Sequence, residues 1–156
     1  MQRITPCLWF DTQAEEAAKL YVSLFDDAEV TEVRYLEGTP SGDHVALVSF
    51  RLEGQSFTAI NGGPQFPFTE AVSFSVSCPD QAEVDRLWNA LTADGGEEGQ
   101  CGWLKDRFGL SWQIIPDRMG ELLSDPNPER AQRAMAAMLK MQKIEVGVLE
   151  AAASGA

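Results

Sequence analysis

The 156-residue chain predicts an α+β fold made of two β-α-β-β-β modules followed by a helical C-terminal extension. Three observations predict it. Strand-like alternation and helix-like stripes succeed one another twice in the same order. The two candidate helices begin alike, QAEEAAKLY from Gln13 and QAEVDRLWN from Gln81, the mark of an internal repeat. Between the copies runs NGGPQFPFT, Asn61 to Thr69, whose glycines and prolines break regular structure;. The boundaries read as 1–61 for the first module, 62–69 for the linker, 70–118 for the second module and 119–156 for the extension, all within one domain.

The elements follow in order. Ile4 to Phe10 reads as a strand, and Asp11 or Thr12 can cap a helix over Ala14 to Phe25;. In that helix Ala14, Ala17, Ala18, Tyr21, Leu24 and Phe25 share a stripe, with Glu15, Glu16 and Lys19 facing out;. Val30 to Leu36 and Val45 to Leu52 are β-rich, joined by a loop over residues 37–43. Glu53-Gly54 is a turn, and Ser56 to Ile60 the next strand.

After the linker, VSFSVSC from Val72 to Cys78 alternates strictly;. Pro79-Asp80 opens a helix over Gln81 to Thr92, with Val84, Leu87, Trp88 and Leu91 on one stripe, and Asp94-Gly95-Gly96 ends it;. Glu97-Glu98 lies between glycines and reads as solvated charge in a loop. Strands are expected around Trp103 to Phe108 and Leu110 to Ile115. Asn127-Pro128-Glu129 starts a helix with proline at its first position;. There Ala131, Ala134, Met135, Met138, Leu139 and Met141 form a stripe that suits core, a dimer contact or an adaptable flap;. Residues 151–156 are expected to fray;.

Composition narrows the function. The 44% hydrophobic and 23% charged residues suit a globular protein;. Asp and Glu outnumber Lys and Arg by 24 to 12, giving a net charge of −12, which repels nucleic acid and anionic lipid;. No apolar run reaches the roughly 20 residues that span a bilayer, and the first residues do not resemble a signal peptide. Three widely spaced cysteines, Cys7, Cys78 and Cys101, argue against a disulfide framework and for the cytoplasm;.

Several short motifs carry a resemblance: Pro6, Phe10-Asp11, Ala14-Glu15-Glu16-Ala17, Leu20-Tyr21, Asn61-Gly62-Gly63-Pro64, Cys101-Gly102-Trp103, Phe108-Gly109, Trp112-Gln113 and the tail RAMAAMLKMQKI from Arg133. In this order they resemble the PhnB-like branch of the vicinal oxygen chelate superfamily, home of glyoxalase I, bleomycin-resistance proteins and extradiol dioxygenases. The resemblance implies strands curled into a mixed sheet around a cup, often with a divalent metal held by His or Glu. Such ligands come from the first and last strand of each module.

Alternation locates the equivalent positions here. Trp112 belongs under the helices, so Gln113 faces the cup where metal-binding relatives carry Glu;. The first strand offers Thr5, Cys7 and Trp9, the second module's first strand Ala71, Ser73, Ser75 and Ser77, and the fourth position falls near Phe57 to Ala59. None is a ligand of the kind that a hard or borderline divalent ion selects. The single histidine, His44, stands away from these positions and reads as a surface residue. No metal site and no cofactor are expected. Gln113 either offers a donor and an acceptor to a bound molecule or bonds its neighbouring strands.

The branch also carries a 3-demethylubiquinone methyltransferase-like label. Methyl transfer needs a glycine-rich turn from strand to helix, whereas Gly62-Gly63 runs into Pro64 and Gly95-Gly96 ends a helix. Cys101 has Lys105 and Arg107 near in sequence but no histidine to act as base, so it reads as structural;. Aromatic walls with a few polar groups describe a small-molecule pocket. The candidate ligand-binding residues are therefore Gln113, Trp9, Cys7, Ser73, Ser75, Asn61, Phe66 and Trp103, with Phe68 beside them on the linker. The expected function is metal-independent binding of a small, partly apolar molecule by a homodimer. The alternative is an enzyme of this fold using a non-standard or recruited metal, and a third is a purely interactive module without a pocket.

Overall fold

A computed structural model of the chain describes residues 2–35 and 45–156. It divides into two compact units, Met1–Phe68 and Thr69–Ala156. The first holds β1 (Cys7–Phe10), α1 (Ala14–Ser23), β2 (Ala28–Tyr35), β3 (Val45–Leu52) and β4 (Gln55–Asn61). The second holds β5 (Ser73–Cys78), α2 (Gln81–Thr92), β6 (Glu97–Glu98), β7 (Trp103–Lys105) and β8 (Ser111–Pro116). Three helices follow, α3 (Asp117–Leu123), α4 (Pro128–Met138) and α5 (Val146–Ser154). The sheets have strand orders β1-β4-β3-β2 and β5-β8-β7-β6, the same topology twice. In each, the first strand runs parallel to the last and the remaining pairs are antiparallel.

Alternation sorts the first unit's residues. Leu8, Phe10, Phe57, Ala59, Val48 and Phe50 are buried, as are Ala14, Ala17, Ala18 and Tyr21 of α1. Small alanines let the helix lie close, and Phe50 stacks on Phe57 at 5.3 Å;. Glu53 and Gly54 both take positive φ, 48° and 81°, as the tight hairpin joining β3 to β4 requires. The first strand begins at Cys7 rather than Ile4, whose side chain is exposed. Neither Asp11 nor Thr12 caps α1. Gln13 holds the cap position without a side-chain bond, and the Ala14 N–H donates to Asn61 Oδ1 at 2.8 Å instead.

In the second unit, Asp80 caps α2 by accepting from the Glu83 N–H at 2.9 Å. Val84, Leu87, Trp88 and Leu91 are buried. Glu97-Glu98 is not a free loop but the edge strand β6, paired with Lys105 and Leu104 of β7. Nor is Glu98 merely solvated charge, because its carboxylate accepts from Trp88 Nε1 at 2.7 Å. Two glutamates give no alternation to read, and only β7 makes them a strand.

The extension encloses a cluster of Leu122, Ala134, Met141, Ile144, Leu149 and Ala153. Of the expected stripe, Ala134 and Met141 are buried, while Met135 and Leu139 stay exposed. The tail does not fray at 151. Arg133 donates to the carbonyls of Ala152 at 3.1 Å and Ala153 at 2.7 Å, and Gly155 (φ 79°) closes α5;. Gln81 clamps the segment before α5, accepting from Val146 N–H at 2.8 Å and donating to Ile144 O at 2.9 Å. The Cys101 and Gly102 N–H groups donate to Met141 O and Gln142 O, each at 2.8 Å.

The cysteines differ in environment. Cys7 is exposed and Cys78 fully buried. Burial pushes the Cys78 thiol up to about 11, and Glu83 and Asp117 add to the rise. We expect maleimide to label Cys7 in the native protein and Cys78 only on unfolding, read by mass spectrometry. The sign of the pH effect follows from the raised value. The thiol's contribution to stability is intact below its ordinary value of 9.0 and is lost as pH climbs through about 11;.

Candidate functional site

In the second unit, in-register pairing assembles one sheet face from three strands. Ser73 pairs with Ser111 and Ser111 with Lys105, while Ser75 pairs with Gln113 and Gln113 with Trp103. Phe74, Trp112 and Leu104 occupy the other face, where Trp112 is buried and meets Phe74 edge-on at 5.2 Å. Gln113 is half-buried and donates from Nε2 to Ser73 Oγ at 2.9 Å. That bond leaves the amide oxygen available as an acceptor.

Asp106 holds this arrangement together. It is 2% exposed, and its Oδ1 accepts from the Phe108 and Leu110 N–H groups at 2.9 and 3.1 Å. Oδ2 accepts from Trp112 Nε1 at 3.0 Å. The carboxylate thus folds the turn from β7 to β8 and fixes which face Trp112 takes. Sequence reasoning missed it, although an Asp three residues before Gly109 is a turn signal.

A recess of about 610 Å³ opens in this unit, lined by Trp103, Lys105, Ser111, Cys101, Glu97 and Glu70 among others. Lys105 and Glu70 form an ion pair there. Their hydrogen bond holds the ammonium above its ordinary range and the carboxyl below its own. Ser111 is 1% exposed, and its hydroxyl has no hydrogen-bond partner among the described residues. Of the predicted residues Trp103 lines the recess. Ser73, Ser75 and Gln113 share its sheet face through their pairing with Ser111 and Trp103.

In the first unit, Cys7 and Trp9 pair with Thr58 and Ile60 on the open face of the sheet. Trp9 Nε1 donates to Gly63 O at 2.9 Å, and its ring meets Phe66 edge-on at 4.9 Å. Phe68 packs similarly on Phe10 at 5.1 Å. Asn61 belongs elsewhere: it pairs with Phe10 on the helix-covered face, is 8% exposed and caps α1. Thr5 and Ala71 lie outside the strands, and Phe57 and Ala59 are buried on the helix side.

A family model described as 3-demethylubiquinone-9 3-methyltransferase matches residues 2–115. The PhnB protein of Bacillus cereus is 32% identical, with 74% of this chain and 99% of that chain covered and a TM-score of 0.67. The chain is a PhnB-like member of the vicinal oxygen chelate superfamily. PA1353 of Pseudomonas aeruginosa is 23% identical, covering 75% of this chain and all 100% of that one, with a TM-score of 0.60. A glyoxalase/bleomycin resistance protein of Albidiferax ferrireducens T118 is 14% identical over 74% of this chain and 98% of that chain, at a TM-score of 0.48. Among curated proteins none matches. The family match ends before α3, so the helical extension of this PhnB-like chain lies beyond it.

The metal held by many proteins of this superfamily can be tested against the donors present. In the second unit the ligand positions carry Ser73, Ser75 and Gln113, all neutral, and in the first they carry Cys7 and Thr58. No three His, Cys, Asp or Glu gather into a ligand set among the described residues, and His44 lies outside them. One thiol among neutral serine, threonine and glutamine side chains does not make the three- or four-ligand set that a divalent ion needs. The methyltransferase description finds no cofactor turn either. The strand-to-helix junctions, residues 11–13 and 79–80, contain no glycine;. Among the described residues no helix is long and apolar enough to cross a membrane.

Proposed function

We propose that this PhnB-like chain binds a small, partly apolar molecule on the open sheet face of its second unit, without a divalent metal. The observation that carries the reading is the pairing of Trp103 with Gln113, which sets an indole beside a half-used amide next to the recess. An apolar wall with few polar groups orients a small ligand. The serines of β5 widen the polar strip without charge, and Cys7, Trp9 and Phe66 form a smaller aromatic surface of the same kind in the first unit. Three cysteines without disulfides support a cytoplasmic setting;. The fold's habit of pairing supports a homodimer, so light scattering should give twice the 17.1 kDa chain mass.

A thermal-shift screen of small aromatic and amphipathic compounds tests the binding. A ligand at a hundred times its Kd adds about 2.7 kcal/mol of stability. The shift should persist in EDTA and shrink in Gln113→Leu and Trp103→Ala. A hit unaffected by either substitution would move the site elsewhere, and a screen without hits would end the reading.

A further inference from the structure

We propose that the recess of the second unit selects an organic cation, an amine or amidine carried on a flat apolar body. The inference rests on the small-molecule reading above and adds the ligand's charge.

Two carboxylates, Glu70 and Glu97, stand against one ammonium, Lys105, in the recess, while the Glu98 carboxylate at its edge is turned to Trp88. The chain as a whole carries −12, so the approaching field also favours a cation;. Lys105 itself shows what the site accepts. Its ammonium is paired with Glu70, and Glu97 is its cross-strand partner. A basic group thus already sits between two carboxylates, on a flexible stem that can yield to a ligand. Trp103 adds an aromatic surface on the same strand, suited to a flat body and to a cation over its ring;.

The second observation is Ser111. It lines the recess, is 1% exposed, and its hydroxyl has no partner among the described residues. Buried hydroxyls are nearly always bonded, so an unmatched one in a recess marks a place for a ligand group. Ser111 is the cross-strand partner of Lys105. A ligand amine that replaces Lys105 at Glu70 therefore arrives beside Ser111 Oγ and can donate an N–H to it. An anion would meet Lys105 only after parting it from Glu70, and would then face Glu97.

Three probes of one shape separate the possibilities: benzamidine, benzamide and benzoate, titrated into the full-length protein by calorimetry. We expect benzamidine to bind about tenfold more tightly than benzamide, the worth of one partly screened ion pair with a ring contact, and benzoate to be weakest. Glu97→Gln should weaken benzamidine several-fold and leave benzamide unchanged. Ser111→Ala should weaken benzamidine while the melting temperature holds or rises, since an unmatched hydroxyl is removed. Benzamide binding as tightly as benzamidine, or benzoate more tightly, would overturn the choice of a cation and leave the small-molecule reading standing. Binding by none of the three would overturn the inference, and the broader screen then decides the underlying reading separately.

Discussion

Asp106→Ala should destabilise the second unit by about 3 kcal/mol or more, because it strands three donors that one carboxylate now satisfies. The Phe108 and Leu110 amides and the Trp112 indole would each lose a partner. Leu110 and Trp112 are each 1% exposed, so water reaches neither the Leu110 amide nor the Trp112 indole readily. Asp106→Asn should cost less. Its carbonyl can still accept from the two amides, while its NH₂ group would oppose the Trp112 N–H. Urea unfolding followed by tryptophan emission measures both. An alanine variant within about 0.5 kcal/mol of the parent, the range of ordinary surface changes, would show that the carboxylate does not organise β7 and β8.

Gly62→Ala should expel Trp9 from its seat and destabilise the first unit by about 1–3 kcal/mol, the usual penalty of overpacking. A Cβ at residue 62 would overlap the six-membered ring of Trp9. The indole cannot shift slightly, because Nε1 is bonded to Gly63 O and Phe66 meets the ring edge-on. Displacement breaks both contacts at once. Trp9→Phe on its own should cost less, since it removes the hydrogen bond without a clash. The check is the emission maximum, which should move to the red in Gly62→Ala as Trp9 becomes wet. An unchanged spectrum and stability would mean that the glycine is not needed for this contact.

The two effects show which parts of the molecule a sequence exposes. Helix α2 was legible end to end, since Asp80 caps it, a four-residue stripe runs through it and glycines stop it. The faces of β8 were legible too, because a period of two needs only one anchored residue, and Trp112 supplied it. What stayed hidden depends on partners remote in sequence. Glu97-Glu98 becomes a strand only through β7. Asn61 looked like a pocket group, but one carboxamide can equally cap a helix 47 residues away. The alanine-rich tail lacked any visible reason for order, and Arg133 supplies it from 20 residues upstream. The site followed the same rule. Alternation put Ser73, Ser75, Ser111 and Gln113 on one face, while Trp103, read only as an aromatic candidate, joined them through register and Glu70 through its ion pair with Lys105.

In the proposed reading the sheet floor binds by shape, hydrogen bonds and local charge, with neutral side chains at the positions where the superfamily resemblance implies metal ligands. Elemental analysis of the purified full-length protein, before and after EDTA, tests it most directly. Far less than one zinc, nickel, manganese or iron per chain is expected, with a ligand-induced thermal shift unchanged by chelation. One tightly held ion per chain, lost in Gln113→Ala together with ligand binding, would contradict it.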